Sequence, residues 1–194
     1  MGETMKGTNI DVALDTIFAQ FREASEVVRE NIKSVLVDAL YGTTGKESEF
    51  AINCDADPFV PPGGQLALHK TGGQLLWDSS VAKLVPPAIP RGQEIITGDD
   101  VARALSGVPV LNACVLDHLL KYPHLIPESW KEDPETGRTI GVVFWGTQYR
   151  HATLKSRCFV RYLFWSGSKW CACRRWLGGV WSREFYAAVR ARVL

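Results

Sequence analysis

The sequence predicts an α+β domain in which helices flank a small twisted antiparallel sheet, preceded by one long helix. Three observations carry that expectation. Apolar residues recur at three- and four-residue steps in the N-terminal and middle regions, the periodicity of helices packed on one side. β-Branched and aromatic residues gather in the last third, as strands require. Four of the seven tryptophans, Trp165, Trp170, Trp176 and Trp181, recur there at intervals of 5, 6 and 5. Large aromatics bury much apolar surface with few torsions to freeze, so evenly spaced tryptophans make a rigid frame and are expected in the core.

The 194 residues, 46% of them hydrophobic, suffice for one well-cored domain and an accessory element. The N-terminus has no basic segment followed by an apolar one, and no apolar run approaches the roughly eighteen residues of a membrane span. Neither a signal peptide nor a span is expected, which fits synthesis in the cytoplasm. Five cysteines, Cys54, Cys114, Cys158, Cys171 and Cys173, are an odd and scattered set, so reduced thiols are expected rather than a disulfide framework. The net charge of +1 hides an asymmetry: residues 150–194 hold ten Lys or Arg against Glu184 alone, about +9, and the residues before them carry about −8. A basic end keeps anionic partners in view.

From Ile10 to Leu40 the residues Leu14, Ile17, Phe18, Phe21, Val28, Ile32, Val35 and Leu36 form the stripe of a long amphipathic helix, with Asn9 or Asp11 to start it and Gly42 to end it. So long a helix either packs along its own domain, the preferred reading, or pairs with a second copy to make a homo-oligomer. The domain proper is placed at 49–194. Turn-forming residues dominate 55–64, and 65–78 places two apolar runs either side of Lys70-Thr71-Gly72-Gly73, the pattern of a hairpin. His69, in the first run, reads as a cross-strand polar residue. Thr97 or Asp99 caps a helix that stops at Gly107, and Pro109 opens another with Val110, Cys114, Val115, Leu119 and Leu120 on its apolar stripe. Residues 139–149 read as one buried strand and 155–165 as its antiparallel partner. Strand alternation sends Arg161, Leu163 and Trp165 to one side and Tyr162, Phe164 and Ser166 to the other.

Catalytic signatures are missing from the chain: it has no phosphate-cradling glycine loop, no HExxH, no G-x-S-x-G and no paired CxxC. Cys114 and His118 lie one helical turn apart, and the plain reading is a buried cysteine beside a surface histidine. His151, Cys158, Cys171 and Cys173 have the ligand types for zinc but not the spacing. No enzyme, metal or cofactor is expected. Between the tryptophans stand Cys171, Cys173, Arg174, Arg175, Gly178, Gly179, Val180, Ser182 and Arg183, a set with no common propensity. Such indifference is expected where a frame is fixed and the surface between is free to change.

The segments GGQLLWDSS, VPVLNACVLDHLLKYPHLIPESWK, FWGTQYR and VRYLFWSGSKW…WLGGVW, within roughly Pro58 to Ala188, resemble the variable target proteins of diversity-generating retroelements in candidate-phylum bacteria, archaea and their viruses. The resemblance implies a C-type-lectin-like domain of the formylglycine-generating-enzyme type whose last few dozen residues, about 160–186, are hypervariable and bind ligand. Carried over by position, the frame is Val160, Arg161, Leu163, Trp165, Gly167, Trp170, Trp176, Leu177 and Trp181. The implied variable positions are Tyr162, Phe164, Ser166, Ser168, Cys171, Cys173, Arg174, Arg175, Gly178, Gly179, Val180, Ser182, Arg183 and Phe185. Randomising the adenines of an asparagine codon leaves a codon ending in a pyrimidine, and every residue type in that set has one; Lys169 and Glu184 do not and are left out.

The function this implies is recognition of a protein or cell-surface ligand, with Arg174, Arg175, Arg183, Tyr162 and Phe164 favouring an acidic or aromatic-accepting partner. Its location is open between cytoplasm, virion and cell surface. Two further readings come from the residues: a nucleic-acid-binding module using the basic, aromatic C-terminal third, and a zinc or thiol enzyme.

Overall fold

The computed structural model describes residues 49–191, and the expected helix over 10–40, with any pairing through it, lies outside them. The chain divides after Ala51, and Ile52–Leu194 is one compact unit. In order it contains β1 (Ala51–Asn53), β2 (Gly64–His69), β3 (Gln74–Leu76), β4 (Ala82–Val85), β5 (Ile96–Thr97), α1 (Gly98–Ala104), α2 (Ala113–Lys121), β6 (Gly141–Val143), β7 (Thr147–His151), β8 (Cys158–Trp165), β9 (Trp170–Trp176), β10 (Val180–Trp181) and β11 (Phe185–Arg190). The architecture is α+β: a curled sheet of seven strands with two α-helices among the described residues. None of those helices is long and apolar enough to cross a membrane.

The sheet is mixed, where an antiparallel one was expected. Strand β8 is central. Strand β9 pairs with it antiparallel from Phe159↔Trp176 to Trp165↔Trp170 and takes one edge along nearly its whole length. Strands β6 and β7 therefore share the other edge in tandem, through Val143↔Tyr162 and Tyr149↔Phe159. Strand β2 continues the sheet beyond β7, and β11 then β4 continue it beyond β6. The parallel pair is β6 with β11. Parallel neighbours cannot be joined by a tight turn, and here all of β7 to β10 intervenes between them.

The single strand expected over 139–149 is broken in the middle. Six residues separate Val143 from Tyr149, but only three separate their partners Tyr162 and Phe159, so the residues around Trp145 and Gly146 leave the ladder. Gly146 instead bonds sideways, its N–H to the Leu111 carbonyl at 2.9 Å and its carbonyl to the Lys70 N–H at 2.7 Å. A Cβ there would lie 2.9 Å from the Asn112 Cα, closer than side chains tolerate, so only glycine permits the approach.

The expected hairpin over 65–78 has its strands but not their pairing. Strand β2 pairs with β7, and β3 pairs with β1. The intervening Gly72 and Gly73 amides both donate to Asp55 Oδ1 at 2.9 Å, and the Lys70 amide goes to Gly146, so the turn's donors are taken elsewhere. The second helix begins at Ala113 rather than Pro109, with Asn112 as its cap, because Val110 bridges Val189 and the Leu111 amide bonds the Ala188 carbonyl. The first helix starts as expected, Thr97 Oγ1 accepting from the Asp100 amide.

Alternation along β8 holds, and the two faces meet different cores. Leu163 packs with Leu116 and Leu119 of α2, Trp77 and Trp130. Val160 packs with Val101 of α1, Leu177, Trp145 and Trp181, with Tyr162 at the margin. The helices thus cover opposite faces. Helix α1 fits close because Gly98 starts it: a Cβ there would lie 2.5 Å from the Leu177 carbonyl and would strike the Trp181 indole.

The tryptophan frame needs a correction. Trp181 is 0% exposed, but Trp165, Trp170 and Trp176 are only half-buried at the rim. The other core tryptophans, Trp77, Trp130 and Trp145, lie outside the periodic set. Half-buried rings leave smaller cavities when removed. Trp181→Ala is expected to cost about 3–5 kcal/mol in urea denaturation, and Trp165→Ala clearly less; equal costs would mean that the two rings carry the same share of the core.

Candidate ligand-binding surface

The β8–β9 register brings part of the sequence-derived set together. Tyr162 stands opposite Cys173, Phe164 opposite Cys171 and Val160 opposite Arg175, so these side chains share one face of the hairpin. Phe185 of β11 joins them, its ring edge-on to Tyr162 at 5.4 Å, and Tyr162 lies 5.8 Å from Phe164. Gly141 leaves room for Phe185, since a Cβ would lie 2.7 Å from that ring. The Arg175 guanidinium stacks over Phe185 at 4.2 Å and Trp181 at 5.4 Å, and its Nε donates to the Val180 carbonyl at 3.1 Å. Burial, then the Cys173 thiol opposite, push the Tyr162 hydroxyl up to about 12, so it stays protonated as a donor. The result is an aromatic shelf with a fixed cation at one side and two thiols at the other.

The remaining positions fall around it. Ser166 and Ser168 sit at the hairpin tip, where Gly167 adopts φ +90° and Ser166 Oγ donates to the Lys169 carbonyl at 2.9 Å. Gly178 and Gly179 form the turn into β10, Val180 is the first residue of that strand, and Ser182 and Arg183 connect β10 to β11. Arg174 does not belong with Arg175. It points to the opposite face, 5.5 Å above Phe159 and 5.9 Å above Trp176, with Nη1 donating to the Pro62 carbonyl at 3.2 Å. The expectation that Arg174, Arg175 and Arg183 act with Tyr162 and Phe164 fails for Arg174, because neighbours in a strand alternate sides. None of the fourteen positions is buried, whereas Val160, Arg161, Leu163, Leu177 and Trp181 all are.

No family model, curated protein or solved structure matches the chain.

What holds the shelf from behind is an ion pair. Arg161, its side chain 7% exposed, meets Asp117 of α2 at 2.6 Å. Asp117 also accepts the Phe59 amide at 3.1 Å, the Phe59 carbonyl accepts from Tyr149 at 3.0 Å, and the Phe59 ring lies under the guanidinium at 5.0 Å. Burial pushes the Asp117 carboxyl above its ordinary range, while Arg161 and the amide pull it back. Sequence alone put Arg161 on one side with Leu163 and Trp165 and gave no partner; a buried arginine demands a carboxylate.

The metal set is not assembled. Cys158 stands opposite Arg150 and Cys171 opposite Phe164, so they are six residues apart along β8, about 20 Å at strand rise. His151 Nδ1 accepts the Leu154 amide at 3.0 Å. Among the described residues no group of three or more His, Cys, Asp or Glu is placed to hold a metal ion.

The Cys114 thiol faces the imidazole of His69. His69 Nε2 is 3.9 Å from the Cys114 thiol and 3.1 Å from the Cys54 carbonyl, and Nδ1 is 2.8 Å from Thr147 Oγ1, its direct cross-strand partner. Asn112 Nδ2 donates to the Cys54 and Lys70 carbonyls at 2.7 and 2.9 Å. This buried network ties the loop after β1, the end of β2, the cap of α2 and β7 together. The Cys114 thiol donates to the Ala56 carbonyl at 3.2 Å, and burial raises it to about 11, as it does Cys54.

Two outcomes follow from these positions. Iodoacetamide at pH 8, followed by peptide mass spectrometry, is expected to label the outward thiols of Cys171 and Cys173 well before Cys54 and Cys114, whose thiolates are suppressed until the pH nears 11. Asp117→Ala leaves Arg161 buried and unpaired and is expected to lower unfolding stability by about 3–5 kcal/mol.

Proposed function

We propose that the chain is a recognition protein without catalysis, the variable protein of a diversity-generating retroelement, on a C-type-lectin-like domain. A rigid frame holds the β8–β9 hairpin and the turns after it, and the shelf of Tyr162, Phe164, Cys171, Cys173, Arg175 and Phe185 selects a protein or cell-surface ligand. The observation that carries this reading is the partition of the terminal segment. All fourteen implied variable positions lie at the surface or half-buried, while five of the frame residues among them are buried. Substitution at the exposed ones usually changes stability by within about 0.5 kcal/mol, so many surface sequences are compatible with one fold. The hairpin is already ordered before a ligand arrives, and an ordered surface loses little further entropy on binding. A curled sheet with a helix on each face is compatible with the lectin-like architecture.

This variant's shelf suits a ligand that offers an aromatic or flat apolar group to Phe164 and Tyr162, with an acceptor for the Tyr162 hydroxyl. The decisive experiment is deep sequencing of the last forty codons of the gene in its source population, with the codons for Gly107 to Trp145 as the internal control. Substitutions are expected to concentrate at the fourteen positions, with Trp165, Trp170, Trp176 and Trp181 fixed. Equal variation in both stretches would overturn the reading.

A further inference from the structure

A second surface lies at the far end of β8 from the hairpin tip. From residue 136 to residue 183 the chain has no Asp or Glu, yet it has nine Lys or Arg. Several bases of the molecule are matched to acids: Arg103 to Asp100, Lys131 to Glu128, Arg138 to Glu184, Arg161 to Asp117. Arg150, Lys155 and Arg157 are not. All three are exposed at the turn from β7 to β8, and among the described residues no carboxylate pairs with any of them. Beside them stands an aromatic step. The half-buried Trp176 has the His151 ring 5.7 Å away, tilted by 47°, and Arg174 at 5.9 Å on the same face of the sheet. His151 in turn is joined to Arg157 by a backbone hydrogen bond of 2.9 Å.

We infer that this end of the sheet binds single-stranded nucleic acid without sequence preference, its phosphates on Lys155, Arg157 and Arg174 and a base against Trp176 and His151. Unpaired cations alone attract any polyanion, since they release condensed counterions from it. An aromatic surface set among them favours a ligand that has flat bases between its charges. Arg150, opposite Cys158, faces the other side of the sheet; Lys155 and Arg157 lie outside the shelf and outside the implied variable positions, so these two contacts do not depend on the ligand the shelf selects.

The test is fluorescence anisotropy of a labelled oligo(dT) 15-mer with the full chain across a salt series, beside an abasic 15-mer and a size-matched heparin fragment. Three phosphate contacts predict a slope of log K against log salt near −2, at roughly −0.7 per contact on a single strand. Lys155→Ser/Arg157→Ser is expected to weaken oligo(dT) binding at least about tenfold and to flatten the slope by about 1.4. Lys83→Ser/Arg91→Ser, which removes exposed charge elsewhere, is expected to leave both unchanged. The abasic strand is expected to bind more weakly than oligo(dT). Absence of oligo(dT) binding, or equal loss in both variants at unchanged melting temperature, would overturn the inference. Equal affinity for oligo(dT), the abasic strand and heparin would also overturn it, leaving a surface that takes any polyanion.

Discussion

Strand β8 has a different obligation on each of its four sides. Its edges are taken by β9 and by the tandem pair β6 and β7, while Leu163 and Val160 belong to separate cores under α2 and α1. A strand constrained in this way cannot slip: moving it by one residue would exchange the two faces, placing Arg161 against Val101 and Leu163 toward the shelf. The buried pair of Arg161 with Asp117 sharpens the constraint, because only one register offers the guanidinium a carboxylate. The fixed geometry of the shelf is a consequence of that register.

Much of this was legible. The alternation of Arg161, Leu163 and Trp165 against Tyr162 and Phe164 follows from period two, and it puts two of the shelf residues on one face. The cap at Thr97 follows from its hydroxyl and the apolar pattern behind it. What periodicity cannot report is pairing between distant segments. Glycines at 72 and 73 signal a turn in any context, and nothing local says that Asp55 will occupy their amides. The run from 139 to 149 is strand-like at almost every position, so its break at Gly146 is set by the backbone of Leu111 and Asn112. Burial was misread for a related reason: the period of the tryptophans marks where the hairpin needs stiffness, and only Trp181 has a layer of structure on every side.

The separation of Arg174 from Arg175 shows what a register adds to a composition. Read as a list, the terminal segment is basic and aromatic throughout. Folded, it divides into an aromatic shelf whose one cation is already held by Val180, Phe185 and Trp181, and a cationic rim at the β7–β8 turn. Opposite chemistries are thereby kept apart on one small sheet. The same composition on a helix would have mixed them around the axis.

The parallel contact between β6 and β11 also bears on how the chain folds. Its partners are brought together across all of β7 to β10, and the pairs of β2 with β7 and of β4 with β11 span still longer stretches of chain. Contacts of that kind form slowly, because the entropy of closing the intervening chain must be overcome before they repay it. Strands β8 and β9, which carry five of the six shelf residues, are local hairpin partners and close quickly. Changes at those five positions therefore fall in a hairpin that closes locally, while the slow closures are those of β2 with β7, β4 with β11 and β6 with β11. A chain built this way can alter what it displays and keep nearly the same folding time.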